Sequence, residues 1–296
     1  MKPLAYFLVV MVCFTCVGNS AGQRNADQSP AVRTAQGPSR RNESRASQPS
    51  YIGFDRNAYP GDSELKGLSK KFAFTGFWLN NPPGATSNNW SGKREKIRSA
   101  GLGFLVLWNG RAYKELGNGL GHKAQELGRA DAKAAVDAAR KEGFRRGTVI
   151  FLDQEEGGRL LPEQKAYLYA WMDGVIASGF RVGVYCSGIA ATEQGGATVI
   201  TAEDIRASAG KRQIVYWVAN DECPPSPGCV ESAEVKPSDS GLNFVDIWQY
   251  AQSPLREDLT GACKQTYDAT TNCYVKGTKI DVDLNVAGSR DPSRGR

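Results

Sequence analysis

The chain has 296 residues, 41% hydrophobic and 23% charged, with a formal net charge of +6. That balance fits a globular protein with a sizeable core and excludes a small disulfide-stapled module. The single histidine, His122 in GNGLGHK, reads as a surface residue. With no further histidine to serve as base or metal ligand, carboxylates must carry any acid–base chemistry.

In chain order, MKPLAYFLVVMVCFTCVGNSAGQ sets Lys2 before an apolar run from Leu4 to Val17 and then small residues. This is the pattern of a secretory signal peptide over residues 1–21. The apolar run is too short for a comfortable membrane span, and no later segment approaches that length, so a soluble protein outside the cytoplasm is expected. Residues 22–50 are rich in Ser, Arg, Gln, Asn and Pro and nearly lack large apolar side chains, which predicts a disordered linker. Basic residues are dispersed and no nucleic-acid-binding motif occurs, so nucleic acid is not an expected partner.

From Tyr51 onward eight strand-length runs recur: YIGFD (51–55), FAFTGFWL (72–79), LGFLVLWN (102–109), TVIFLDQE (148–155), RVGVYCS (181–187), IVYWVAND (214–221), VDIWQYAQ (245–252) and IDVDLNVA (280–287). Helices are expected over 91–100, 129–142, 162–178 and 202–209, two of them stopping before Gly143 and Gly179. Residues 222–244 and 253–279 read as long loops. The spacing predicts an α/β fold: a single-domain (β/α)₈ TIM-type barrel of parallel strands over 51–288, then a disordered tail over 289–296. A doubly wound open sheet is the alternative, but YIGFDRNAYPG is not the Gly-rich phosphate loop it would carry. No oligomerisation signal is read, and a monomer is expected.

Five cysteines follow the leader. Cys223/Cys229 and Cys263/Cys273 are close in turn-rich sequence and are expected to form two local disulfides, leaving Cys186 as a buried thiol. The spacings do not suit zinc, and no metal or cofactor is expected.

Chemistry in such barrels gathers at the C-terminal strand ends. Those ends carry Asp55, Asp153 with Glu155, Asp221, and Asp281 with Asp283, alongside Trp78, Trp108, Tyr185, Trp217 and Trp248. Asp153 and Glu155 are two apart and leave one face of their strand, whereas Glu156 is expected to point into solvent. Two like charges on one strand face are costly unless partners or function hold them there. A mouth of carboxylates and aromatic rings suits a sugar polymer, because glycoside hydrolysis needs a protonated carboxyl at the leaving oxygen and a second carboxylate nearby.

The ordered set GFD, FLDQE, GVYCS, YWVAND, DIWQY and VDLN resembles the glycoside hydrolase family 25 lysozymes. The closer likeness is to the related Rv2525c-like, glycoside hydrolase-like family, in GFDRNAYPG, TGFWL, GRADAKAAVDAA, LDQEE, GVYCS and YWVA. The resemblance covers residues 51 to about 288. It implies Glu155 as general acid, Asp55 and Asp153 as carboxylates that stabilise or orient the reacting sugar, and Tyr185, Trp217, Asp221, Gln249 and Asp283 as the lining of a sugar groove, to which Trp78, read from its place near the strand ends, is added as a substrate-binding candidate. It also implies a peptidoglycan or other amino-sugar polymer as partner, with a non-catalytic wall-binding barrel as the alternative. The lysozymes carry an aromatic-His pair at the end of strand three, where this chain reads LVLWNG.

Overall fold

The structure, a computed structural model, describes residues 49–117, 121–221, 235–253 and 280–296. The expected leader, most of the expected linker and all four cysteines of the two expected disulfides lie outside the described residues. The strands are β1 (Tyr51–Asp55), β2 (Phe74–Trp78), β3 (Gly103–Asn109), β4 (Val149–Asp153), β5 (Arg181–Ser187), β6 (Ala190–Thr192), β7 (Thr198–Ile200), β8 (Ile214–Ala219), β9 (Ile247–Ala251) and β10 (Asp283–Ala287). The helices are α1 (Leu65–Leu68), α2 (Arg94–Ser99), α3 (Tyr113–Leu116), α4 (Gly121–Lys141), α5 (Pro162–Ala177) and α6 (Thr201–Ser208). Eight strands close a barrel in the order β1-β10-β9-β8-β5-β4-β3-β2, and β6 and β7 form a separate hairpin. No described helix is long and apolar enough to cross a membrane.

The strands form where the apolar runs predict them, because residues buried on both faces suit a sheet wrapped by helices. Helix α4 starts eight residues before the expected Arg129. Two glycines within α4 and α5 are a packing device. A Cβ on Gly128 would lie 2.4 Å from the Tyr167 carbonyl oxygen, and one on Gly174 would lie 2.7 Å from the Ala132 Cβ, so small residues let α4 and α5 approach closely. Cys186 is buried as a free thiol.

Two expectations about the end of the chain are corrected. The barrel is not wholly parallel: β10 runs antiparallel to both β1 and β9. The end of β9 at Ala251 lies opposite Leu284 near the start of β10, so the two strands meet at the same end of the barrel. Residues 289–296 are not a disordered tail. Ser293 is fully buried at the barrel floor, where it sits between the splayed starts of β3 and β4. Its N–H donates to the Phe104 carbonyl at 2.9 Å, and its carbonyl accepts from the Val149 N–H at 2.8 Å. Its Oγ accepts from the Val106 N–H at 2.8 Å, and Asp291 accepts from the Phe104 N–H at 2.9 Å. Polar composition made this stretch look solvated; its polar groups complete the strand ladder instead.

Candidate active site

Two strands bring Asp55, Asp153 and Glu155 to one end of the barrel, called the mouth below. Asp55 ends β1, Asp153 ends β4, and Glu155 follows two residues later. β10 adds Asp283, paired with Asp55 in register. Asp283 reaches the mouth at the start of its strand because β10 runs backward. Gly76 in β2 makes room for Asp55: a Cβ there would lie 2.7 Å from the Asp55 Cβ. Gly76→Ala is expected to cost about 1–3 kcal/mol by overpacking. Thermal melts check this, and an unchanged midpoint would show that the contact yields freely.

Asp55 is buried and held by two amides. The Gln249 Nε2 donates to its Oδ1 at 2.9 Å and the Asn285 Nδ2 at 2.6 Å. The network continues through the Tyr185 hydroxyl, which donates to the Gln249 Oε1 at 2.7 Å. The Gln252 Nε2 donates to the same Gln249 oxygen at 2.8 Å. On the other side the Trp217 Nε1 donates to the Asn285 Oδ1 at 2.8 Å, which fixes the amide orientation that faces Asp55. A register shift between Leu284 and Asn285 accompanies this placement, as bulges beside functional sites commonly do.

Asp153 is 3% exposed, and no donor reaches either of its carboxylate oxygens. Its neighbour is the Glu155 carboxyl, and two carboxyls hydrogen-bond only when one carries a proton. Burial, then Glu155, then Asp55 push the Asp153 carboxyl well above the usual carboxylate range. Glu155 is solvent-exposed on its open side, which decides its access to a ligand, yet protein crowds its other side. That burial raises its carboxyl, opposed by the hydrogen bond with Asp153. Asp55 is pushed up to about 6, first by burial, against the pull of its two amides. Asp283 is raised by burial and by Asp55. Neighbouring groups with raised values in one recess are the pattern of an acid–base site.

These shifts carry a sign for stability. A carboxyl near 3.8 unfolded and about 6 folded holds its proton more tightly in the native state, so stability falls as pH rises between those values. Asp153 and Asp283, raised in the same direction, add to the decline. The thermal midpoint is therefore expected to be higher at pH 5 than at pH 8, and Asp153→Asn is expected to raise it at pH 8. A flat profile between those values, or a destabilised Asp153→Asn at pH 8, would contradict the cluster's electrostatics.

The expected groove lining divides in two. Tyr185 and Asp283 are half-buried and reach the surface. Trp78, Trp217, Asp221 and Gln249 are each at most 4% exposed and support the mouth without lining it. The Trp217 ring packs on Tyr185 at 4.8 Å and on Phe151 at 5.7 Å, and the Trp78 Nε1 donates to the Arg56 carbonyl at 3.1 Å. Strand aromatics here are core, the commoner fate of such residues. Glu156 is not solvated as expected. Its Oε2 accepts from the Tyr113 N–H at 2.9 Å and from the Gln164 Nε2 at 2.6 Å, tying the turn after Glu155 to the starts of α3 and α5. Asn285, Gln252 and Gly76 were not singled out as site residues, although Asn285 stands in VDLN and Gln252 follows WQYA. Beside Glu155 a cleft of about 230 Å³ opens, lined by Asn109, Arg111, Lys114, Asp153 and Glu156 among others. Among the described residues no cluster suits a metal ion.

Comparison with known proteins follows this geometry. The chain is 28% identical over 123 residues to the uncharacterized protein FadG of Bacillus subtilis (strain 168), an alignment covering 38% of this chain and 20% of that one. The chain thus spans about a fifth of that curated relative's length. The fold is similar to that of an uncharacterized B. stearothermophilus protein, with TM-score 0.51 and 20% identity over 80% of this chain and 95% of that one. It is also similar to the Clostridium perfringens spore cortex lytic enzyme SleM, with TM-score 0.50 and 15% identity over 81% of this chain and 68% of that one. These two structural likenesses concern the fold. Over residues 75–220, from β2 to just past β8, the chain matches the model of the Rv2525c-like, glycoside hydrolase-like domain.

Proposed function

We propose that this protein is a glycosidase acting outside the cytoplasm on peptidoglycan or a related amino-sugar polymer. The observation that carries this reading is the juxtaposition of the accessible Glu155 with the buried, donorless Asp153 and the amide-held Asp55. The three carboxyls sit in different environments, so they are suited to different roles. Glu155 faces the open side and gives its proton to the leaving glycosidic oxygen. Asp153, kept protonated by burial, then donates a hydrogen bond to the Glu155 carboxylate and stabilises it. Asp55 is largely ionised near neutral pH and faces the positive charge that develops on the sugar. In the lysozymes that this chain resembles, the substrate's acetamido group is thought to assist; Asp55 would orient it here. The signal-peptide pattern of residues 1–21 supports the extracytoplasmic site of action.

The test is incubation of the purified protein with cell-wall peptidoglycan and with chitin oligosaccharides across pH 4 to 8, with release of new reducing ends as readout. Products from either substrate support a glycosidase. Co-sedimentation with insoluble wall and no products at any pH would replace it with a wall-binding barrel.

A further inference from the structure

The GRADAKAAVDAA stretch of α4 holds a buried carboxylate, Asp131, among small apolar residues. It reaches from the helix to the loop after β3. Its Oδ2 accepts from the Arg111 Nε at 2.6 Å and its Oδ1 from the Arg111 Nη2 at 2.8 Å. The buried Tyr167 hydroxyl of α5 donates to the same Oδ2 at 2.9 Å. Arg111 also lines the cleft of about 230 Å³ that holds Glu155. Its loop is fixed from the other side as well. The Gly110 N–H donates to the Asp153 carbonyl at 3.2 Å, and a Cβ at Gly110 would lie 2.5 Å from that oxygen.

An ion pair withdrawn from water adds little to stability over apolar packing of the same volume. What this one adds is orientation. A guanidinium carries five N–H donors in one plane. Asp131 takes the edge formed by Nε and Nη2, which leaves Nη1 for the cleft. The rotamer freedom of the long side chain is thus lost on folding and not on ligand binding, which favours affinity. Asp131 also balances the charge of Arg111 and pushes its guanidinium above the usual range, first through their hydrogen bonds. A donor edge with its charge already balanced suits a neutral oxygen. The lysozymes carry their aromatic-His pair at the end of this strand, where this chain has Trp108-Asn109, so this wall of the cleft is its own.

We propose that Arg111 donates from Nη1 to a neutral oxygen of the glycan, a hydroxyl or an amide carbonyl, and that Asp131 is a positioning residue acting through it. The proposal rests on the glycan reading above and fails separately from it. The test is NMR titration of the full chain with tri-N-acetylchitotriose at pH 7. Arg111→Lys keeps a cation for Asp131, so its thermal midpoint should stay near that of the wild type, while its affinity should fall about tenfold with the fork gone. Asp131→Asn should weaken binding severalfold. The double variant should bind no more weakly than Arg111→Lys alone, because Asp131 acts through Arg111. In the wild type, the Arg111 Nε–H signal should shift with added sugar in step with the Glu155 amide. Unchanged affinity in Arg111→Lys, or a stationary Arg111 signal where no variant folds, would overturn the proposal and leave the glycan reading standing. Additive losses in the double variant would overturn the role of Asp131. Failure of the wild type to bind either this sugar or peptidoglycan fragments would overturn both readings.

Discussion

Glu155→Gln is expected to lower glycan turnover by about three orders of magnitude while leaving the thermal midpoint near that of the wild type. The amide keeps the size of the side chain and its exposed position but cannot deliver a proton to a leaving oxygen. Stability should not suffer, because Glu155 is accessible to water and its loss leaves no buried group newly unpaired apart from Asp153, which lacks a donor already. The pH profile sharpens the assignment. Turnover in the wild type should rise as pH increases through about 6, where Asp55 ionises, and fall where the Asp153/Glu155 pair loses the first of its two protons, the one Glu155 delivers. The limbs belong to interacting groups, so the upper one reports the pair and not one residue. Asp55→Asn should remove the lower limb along with most of the rate. Equal release of reducing ends by Glu155→Gln and wild type would remove Glu155 from its role as acid.

Deleting residues 289–296 is expected to destabilise the barrel by at least about 4 kcal/mol, or roughly 10 °C in midpoint for a domain of this size. The N–H groups of Phe104, Val106 and Val149 would lose their acceptors inside the floor. Each buried orphan costs about 1–3 kcal/mol. The segment also covers Phe104 and Phe144, since a Cβ at Gly295 would lie 2.8 Å from the Phe144 ring. Gly103 shows how closely the tail approaches: a Cβ there would lie 2.1 Å from the Arg290 carbonyl oxygen. Differential scanning calorimetry checks the prediction, and a midpoint within two or three degrees of the full chain would refute it. Ser293→Ala is the finer probe. It removes only the acceptor for Val106 and should cost about a third as much.

The strand order of the barrel was legible because its strands are apolar on both faces and punctuated by glycine. The carboxylate cluster was legible for a related reason: Asp55, Asp153 and Glu155 end apolar runs, and a strand end on a closed barrel has one place to go. What sequence did not show depends on direction and depth. Nothing local in IDVDLNVA distinguishes a strand running up the barrel from one running down, and the difference decides where Asp283 lies. Trp78 and Trp217 look the same in sequence whether they face a ligand or support a neighbour. The tail escaped notice because SRDPSRGR has the composition of a solvated end, while its polar groups find strand N–H and C=O groups made available by the splay of β3 and β4. Glu156 escaped for the same reason, since a backbone N–H at a helix start carries no side-chain signature.

The reversed direction of β10 also governs how the molecule can be attached to anything. Tyr51 and Ala287 are register partners at the floor, so the barrel is entered and left at one place, opposite the mouth. A tether or tag joined immediately before Tyr51 would hold the barrel by its base and leave the acidic recess facing outward. Grafting the barrel onto a solid support through that end should therefore leave the recess open to soluble glycans, whereas coupling through Lys114 beside the cleft should block it.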